Sequence, residues 1–190
     1  MQHRTKALLA ILNQPLDYLH PQRGGVPPLL VAADARAVLN RMLLSGLGMS
    51  CPDPQQIEFN RWSDLWVVHW RRLPVIASLM GAQLLWPQLA RGARSRELEA
   101  SMRAFARADL GCRAPIVVNE EYGLEVSLGA VGLGALTAWR EQIPEALMQR
   151  LLLQFSPQVV ELQQTTPAQI PNPLLFILAV QHARIHQNAG

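Results

Sequence analysis

The sequence predicts a mainly α-helical protein, an irregular multi-helix globular domain. Three of its five tryptophans, Trp62, Trp66 and Trp70, are spaced i, i+4 and i+8, which places them on one stripe of a helix. Apolar residues recur at helical spacing in most segments between prolines and glycines. Hydrophobic residues make up 49% of the chain and charged residues 16%, a composition typical of a folded domain with a sizeable core.

The first part of the chain is predicted to hold two helices separated by irregular segments. Residues 4–12 form a short helix that ends before the turn at Pro15. Prolines and glycines punctuate residues 15–28, which predicts an ordered turn and then an irregular link. Residues 33–45 form the second helix, with Gly46 just past its end. Four apolar residues share one face of this helix: Val38, Leu39, Met42 and Leu43.

The tryptophan stripe belongs to a helix that meets a further helix at Leu73 and Pro74. Proline cannot continue the hydrogen-bond ladder of one helix, but it suits the first turn of the next. The second helix is predicted to run from Pro74 to about Trp86, where Pro87 stops or kinks it. We assign six residues to the structural core: Tyr18, Trp62, Trp66, Trp70, Leu73 and Pro74. The alternative for the tryptophans is a partly exposed aromatic groove that binds a partner.

The remainder of the chain is predicted to be helical, apart from one ambiguous segment. Helices are expected over residues 95–109, 129–139, 144–155, 157–163 and 173–186, with Ser95 as an N-cap. In residues 115–128, β-branched side chains and an alternating apolar pattern favour a small β-hairpin. The hairpin is therefore an option within an otherwise α-helical fold.

Charge is distributed unevenly along the chain. Residues 1–113 carry fourteen basic and eight acidic side chains, a net +6, and residues 114–190 carry three basic and six acidic ones, a net −3. A single domain over residues 1–190 is expected, with a basic lobe (about 1–113) and an acidic lobe (114–190) as an alternative. Such an asymmetry steers charged partners, but it is too diffuse to indicate a nucleic-acid site by itself.

The sequence lacks the motifs of common enzymes, cofactor sites and metal sites. Cys51 and Cys112 are far apart, which is typical of a reduced cytosolic protein. His182 and His186 have the spacing of a metal-binding pair but no evident third ligand. No phosphate-binding loop or nucleophile elbow occurs. We therefore predict no catalytic residue, no cofactor and no metal. An enzyme with an unrecognised pocket lined by His69 or His182 remains the alternative.

No signal sequence or membrane-spanning segment is expected. The basic and then apolar N-terminus is interrupted at residues 13–15, before a signal peptide would be complete. No uninterrupted apolar run approaches the ~18 residues that span a bilayer.

Four segments resemble the OrgA/MxiK (SctK-type) family of bacterial type III secretion proteins. They are residues 15–23 (PLDYLHPQR), 65–81 (LWVVHWRRLPVIASLMG), 143–147 (IPEAL) and 178–183 (LAVQHA). These segments occur in matching order through most of the chain. Residues 24–60 and 88–125 match poorly, so nothing is carried over to them.

The resemblance implies a non-catalytic adaptor of the cytoplasmic sorting platform of a type III secretion system. Such a protein links the cytoplasmic domain of the inner-membrane ring protein to the pod protein, and through it to the stator and the export ATPase. It is cytoplasmic, lies at the inner-membrane base of the machine, and neither inserts into the membrane nor binds nucleic acid. The family has no catalytic residues to transfer.

Four arginines are the candidate partner-binding residues. Arg71 and Arg72 lie at the predicted helix junction inside a segment that resembles the family, and Arg103 and Arg107 share a face of the helix over residues 95–109. Arginine suits such a surface because its planar guanidinium pairs with carboxylates through two hydrogen bonds. The alternatives are helix capping by Arg71 and Arg72, a merely solvated face, and a nucleic-acid-binding module that uses the arginines between Arg91 and Arg113.

Overall fold

The computed structural model of the protein describes residues 2–25, 27, 30, 32–91, 93–111 and 121–186. Within these residues the chain is helical, as predicted, and no β-strand occurs. The α-helices are α1 (Gln2–Asn13), α2 (Ala33–Gly46), α3 (Arg61–Val68), α4 (Leu73–Arg91), α5 (Ala100–Arg107), α6 (Leu124–Thr137), α7 (Glu145–Leu151), α8 (Pro157–Thr165) and α9 (Pro173–His186). Short 3-10 turns connect several of them.

The β-hairpin option for residues 115–128 is wrong in its second arm. Residues 124–128 form the start of α6, and residues 115–120 lie outside the described part of the chain. The alternating pattern is only five residues long, whereas apolar and small residues continue to Leu136 and are buried on all sides of the helix from Ser127 onward. A helix that is apolar all round is typical of a core position.

Spatial contacts divide the chain into two compact units, each built from two stretches of sequence. Unit 1 comprises Met1–Arg71 and Arg140–Pro157, and unit 2 comprises Arg72–Trp139 and Gln158–Gly190. This division differs from the division by charge at residue 113. By sequence, unit 1 holds nine basic and seven acidic side chains, and unit 2 holds eight basic and seven acidic ones. The two units therefore carry similar charge balances.

The core of unit 1 forms around α1, which packs against α2, α3 and α7. Helix α3 begins at a capping box. The Asn60 Oδ1 accepts hydrogen bonds from the backbone N–H groups of Trp62 and Ser63, and the Ser63 Oγ accepts one from the Asn60 N–H. These bonds satisfy donors that a helix start would otherwise leave without partners.

The prediction that one helix carries all three tryptophans is wrong for Trp70: α3 ends at Val68, and Trp70 lies in a 3-10 turn, Trp70–Arg72, that connects α3 to α4. The next helix begins at the predicted junction of Leu73 and Pro74. Of the two alternatives for Pro87, the stop near Trp86 is wrong, because α4 continues to Arg91 with Pro87 inside it, and the kink stays a prediction. Proline removes one backbone donor, but packing along a 19-residue buried helix outweighs that loss.

Helix α5 is shorter than the predicted helix over residues 95–109. Ser95, the predicted N-cap, lies instead within a 3-10 turn, Ala93–Arg96. Glu99 occupies the N-cap position of α5, and its side chain makes no capping hydrogen bond.

The core of unit 2 forms around α4, which packs against α5, α6 and α9. The helical segment Trp70–Arg91 is long enough to span a membrane, and an 18-residue window within it is apolar enough. The most apolar window of this segment is 61% buried within the protein, which is typical of a core helix. At its middle, α4 approaches α6 closely at Gly81 and Gly132.

Helix α2 buries a face that only partly coincides with the predicted apolar one, of which Leu39 and Leu43 are half-buried. Val38 and Met42 are exposed, Met42 to 64%, whereas Asn40 and Leu44 are buried. The Asn40 Oδ1 accepts a hydrogen bond from the Leu16 N–H at 3.0 Å. The buried face of α2 is therefore partly polar, at Asn40, and partly apolar, at Leu44.

Candidate partner-binding surfaces

The three tryptophans assigned to the core are buried. Trp66 is 0% and Trp70 4% exposed, and Trp62 is also buried. Leu73, at the start of α4, is fully buried, and Pro74 is half-buried. The tryptophan rings therefore fill the interior of unit 1 and do not line an open groove.

Tyr18 connects the segment of residues 15–23 to this interior. Its ring meets the ring of Trp70 edge to face, with centroids 5.4 Å apart, and its hydroxyl donates a hydrogen bond to the Ile11 carbonyl at 2.6 Å. Burial raises the pKa of the Tyr18 phenol, and the nearby Arg150 cation lowers it by a smaller amount. Tyr18 therefore stays neutral and acts as a hydrogen-bond donor inside unit 1.

Arg71 presents most of its side chain to solvent beside an anchored carboxylate. One oxygen of Asp17 pairs with Arg36 Nη2 at 2.5 Å, and the other lies 3.5 Å from Arg71 Nη2. The Arg71 side chain is 72% exposed. Arg72 is half-buried and has an interaction partner within the chain. Of these two adjacent arginines, Arg71 is therefore the one that is accessible to another protein.

The two candidate arginines of α5 differ in the same way. Arg103 Nη2 donates hydrogen bonds to the carbonyls of Leu98 at 2.6 Å and Arg96 at 3.2 Å. Arg103 is half-buried, and these hydrogen bonds connect it to the residues that precede α5. Arg107, one turn further on, is exposed. Arg107 is therefore the accessible member of this pair.

Arg150 is a structural residue that the sequence reasoning missed. It is 0% exposed, and it donates hydrogen bonds to the Leu12 carbonyl from both Nε and Nη2 at 3.1 and 2.9 Å. Further bonds go to the Ala146 carbonyl at 3.0 Å and the Ser50 carbonyl at 2.8 Å. The sequence did contain one indication of this role: Arg150 is the only charged residue in the largely apolar stretch of residues 146–155. A cation buried there must find several buried acceptors.

A second arginine binds the same part of unit 1. Arg23 Nε donates a hydrogen bond to the Phe155 carbonyl at 2.7 Å, and burial lowers the pKa of its guanidinium. The His20 N–H donates to the Leu153 carbonyl at 2.8 Å. The segment of residues 15–23 is therefore bound along the chain that follows α7.

An open groove of about 470 Å³ lies on the surface of unit 1. Residues 50–60 form one wall and residues 141–146 the other. The Asn60 Nδ2 joins the two walls by donating a hydrogen bond to the Gln142 carbonyl at 2.6 Å. Arg150 contacts both walls, because it donates hydrogen bonds to the carbonyl of Ser50 in the first wall and to that of Ala146 in the second. We call this feature the acidic groove, after the three glutamates that line it: Glu58, Glu141 and Glu145.

Within the described part of the chain, the side chains considered for metal binding do not form a metal-binding group. Among the described residues, no group of three His, Cys, Asp or Glu side chains is placed to hold a metal ion. The His182 ring packs against Phe105 with centroids 5.0 Å apart. The side chain of His186 and all of Cys112 lie outside the described part of the structure.

Comparisons with known proteins agree on one family. The family model described as "Bacterial type III secretion apparatus protein (OrgA_MxiK)" matches residues 8–185. The oxygen-regulated invasion protein OrgA of Salmonella typhimurium, in strains SL1344, LT2 and 14028s, is 32% identical to this chain over 179 residues. The alignment covers 94% of this chain and 87% of OrgA. No solved structure matches.

Proposed function

Because this chain belongs to the OrgA/MxiK family of bacterial type III secretion apparatus proteins, we propose that it is a non-catalytic adaptor of the secretion machine. In this role it links the cytoplasmic domain of the inner-membrane ring protein to the pod protein of the sorting platform. The stator and the export ATPase are reached indirectly through the pod protein. The protein works in the cytoplasm, at the inner-membrane base of the machine. The observation that carries this proposal is the family match, which extends over nearly the whole chain.

The surface around Arg71 supports a role in binding. Its guanidinium is largely exposed, while Asp17 beneath it is already paired with Arg36. A partner carboxylate can therefore approach Arg71 without first breaking a strong contact within the chain. Exposed charges of this kind contribute mainly to the association rate and to specificity, which suits a partner that exchanges. Arg107 offers a second exposed cation, on unit 2.

Binding of nucleic acid by the arginines between Arg91 and Arg113 is less well supported. Arg94 Nη2 donates a hydrogen bond to the Tyr122 carbonyl at 2.9 Å, and Arg103 is bound to backbone carbonyls. Three exposed acidic residues lie in the same stretch: Glu97, Glu99 and Asp109. Carboxylates interspersed in this way weaken the attraction of a phosphate backbone.

The adaptor role can be tested by co-purification from secreting cells. A tagged copy of the chain is isolated from bacteria with an active secretion system, and the ring and pod proteins are quantified by immunoblotting. We expect both proteins to co-purify with the parent chain, and the charge-reversal variant Arg71→Glu to lose one of them and to secrete less. The matched control is Arg140→Glu, which reverses another exposed arginine of unit 1.

Two results would contradict this proposal in different ways. If neither the ring nor the pod protein co-purifies with the parent chain, the chain is not the adaptor. If Arg71→Glu and Arg140→Glu behave alike and both match the parent, the binding surface does not include Arg71. The urea midpoints of both variants should stay close to that of the parent, because exposed ion pairs contribute only about 0–1 kcal/mol.

A further inference from the structure

The acidic groove combines hydrogen-bonded walls with unpaired negative charge. Glu58 and Glu141 are exposed, and neither has an ion-pair partner among the described residues. Glu145 accepts a hydrogen bond from Gln149 Nε2 at 3.2 Å. The lining contains no arginine or lysine. Three carboxylates around one concave surface therefore attract a positively charged ligand group.

Apolar side chains form part of the lining between these carboxylates. Ile143 and Ala146 are buried, and Ile57 and Phe59 are half-buried. A volume of about 470 Å³ lies in the range of pockets that hold a few side chains. The preferred occupant therefore has an apolar side chain next to a cationic one.

The aromatic residue in the lining of the groove, Phe59, already contacts an arginine of this chain. The guanidinium of Arg4 lies over the Phe59 ring, 4.6 Å from its centroid, while its Nη1 pairs with Asp64 at 2.9 Å. Guanidinium groups favour such cation–π contacts, and they also pair with carboxylates through two hydrogen bonds. Since Arg4 already occupies the Phe59 ring, the preference for arginine over lysine in the groove comes from the carboxylates, which a guanidinium can pair with through two hydrogen bonds.

We propose that the acidic groove binds an arginine-bearing segment of a partner protein, with an apolar side chain against half-buried Ile57 and a guanidinium between Glu58 and Glu141. The identity of this partner as a component of the secretion machine rests on the adaptor function proposed above. The hydrogen bond between Asn60 and Gln142 and the contacts of Arg150 keep the walls in place before binding, so little ordering is required.

The chemistry of the groove can be tested with short peptides and the intact protein. Amide resonances of the isotope-labelled full chain are followed by NMR during titration with the acetylated pentapeptide Gly-Arg-Leu-Arg-Gly. We expect the shifts to concentrate in residues 50–60 and 141–146. The counterpart Gly-Glu-Leu-Glu-Gly should leave them unchanged, and Gly-Lys-Leu-Lys-Gly should bind more weakly than the arginine peptide.

Removing the two free carboxylates should weaken this binding. In the double variant Glu58→Gln/Glu141→Gln the side chains keep their size, and we expect about tenfold weaker binding of the arginine peptide. The control is Glu125→Gln/Glu161→Gln, which removes two exposed carboxylates from unit 2 and should bind as the parent does. Shifts outside the groove, or equal binding by parent and groove variant, would overturn the proposal.

Co-purification of the same variants from secreting cells tests the partner. We expect a smaller amount of the ring or the pod protein to co-purify with Glu58→Gln/Glu141→Gln. The unit 2 control should co-purify with both proteins in the same amounts as the parent chain. If the peptide binds in the groove but co-purification is unchanged, the groove does not bind these partners and the inference fails. If the parent chain itself co-purifies with neither protein, the adaptor function fails, and the peptide titration still decides whether the groove binds arginine.

Discussion

At the scale of single residues, several polar side chains inside unit 1 bind backbone carbonyls, and not carboxylates. Arg150 donates to three carbonyls, Arg23 to that of Phe155, and the Tyr18 hydroxyl to that of Ile11. Carbonyls at helix ends and in loops lack a helical donor, so a buried guanidinium with several N–H groups satisfies several of them at once. These contacts join parts of unit 1 that are far apart in sequence.

Replacing Arg150 by methionine should destabilise the protein substantially. Methionine retains much of the side-chain volume but leaves the carbonyls of Leu12, Ser50 and Ala146 without this donor. We expect Arg150→Met to lower the free energy of unfolding by about 2–4 kcal/mol. Urea denaturation followed by tryptophan fluorescence measures it. Exposed Arg140→Met is the control and should change stability little; equal midpoints for the two variants would contradict a structural role for Arg150.

Tyr18 should make stability depend on pH in the alkaline range. Burial raises the pKa of its phenol in the folded state above the ordinary value of about 10, so the unfolded chain releases its proton first. The contribution is fully present below about pH 10, and it is lost as pH rises towards the folded-state pKa.

The variant Tyr18→Phe tests this pH dependence. It should lose about 1 kcal/mol at neutral pH with its hydrogen bond, and its stability should fall less than that of the parent above about pH 10. Chemical denaturation at a series of pH values checks the result, with Tyr122→Phe, which changes an exposed tyrosine, as the control. Parallel pH profiles for the parent and Tyr18→Phe would show that Tyr18 is not the group responsible.

At the scale of helices, the contact between α4 and α6 depends on glycine. A Cβ atom on Gly132 would lie 1.8 Å from the Ala77 carbonyl oxygen, and one on Gly81 would lie 2.0 Å from that of Leu128. Both carbonyl oxygens belong to the backbone, so the two helices would have to move apart to accommodate a Cβ atom. The close approach brings together two largely apolar helices that form the centre of unit 2.

Adding one methyl group at this contact should therefore destabilise the fold. Alanine favours a helix by about 1 kcal/mol over glycine, but the steric clash in Gly132→Ala should exceed this gain and lower stability by at least about 2 kcal/mol. The matched control is Gly46→Ala at the end of α2, where nothing lies within 4 Å of the added carbon. Thermal denaturation should show a lower midpoint for Gly132→Ala and an equal or higher one for Gly46→Ala. The reverse order would exclude a close α4–α6 contact.

At the scale of the whole molecule, apolar burial supplies most of the stability, and among the described arginine, lysine, aspartate and glutamate side chains only Arg150 is buried. The ion pairs Arg4–Asp64 and Arg71–Asp17 involve side chains that are partly or largely exposed to solvent. Pairs of this kind contribute about 0–1 kcal/mol each. The exposed arginines and the acidic groove are then available for other proteins.

Salt should accordingly affect association more than stability. Raising the NaCl concentration from about 0.1 M to about 1 M shortens the screening length from about 10 Å to about 3 Å. We expect the thermal unfolding midpoint to change little, and the binding of the groove to the arginine peptide to weaken severalfold. Calorimetry and peptide titration at both salt concentrations measure the two effects. Peptide binding that is independent of salt would argue against recognition by Glu58 and Glu141.

Local features of the fold were predictable from sequence to a large extent. The junction at Pro74 and the start of α7 after Pro144 follow from the missing N–H of proline and its fixed backbone angle. The identity of the family was also recognisable, from short segments in matching order, and the comparisons confirm it. Of the proposed binding residues, the sequence could name arginines but could not tell exposed Arg71 and Arg107 from the more buried Arg72 and Arg103.

The sequence by itself thus determined the helical class and most helix positions, because those depend on interactions within a few residues along the chain. It also determined the family, because short segments match that family in order. Only the tertiary structure decided that α2 buries Asn40 and exposes Met42, and that residues 140–157 return to unit 1. It also decided that Arg150 reaches the Leu12 carbonyl, 138 residues away, and that it bonds the carbonyls of Ser50 and Ala146, one in each wall of the acidic groove. Such contacts depend on which buried acceptors packing brings within hydrogen-bond distance, and no local pattern in the sequence specifies that distance.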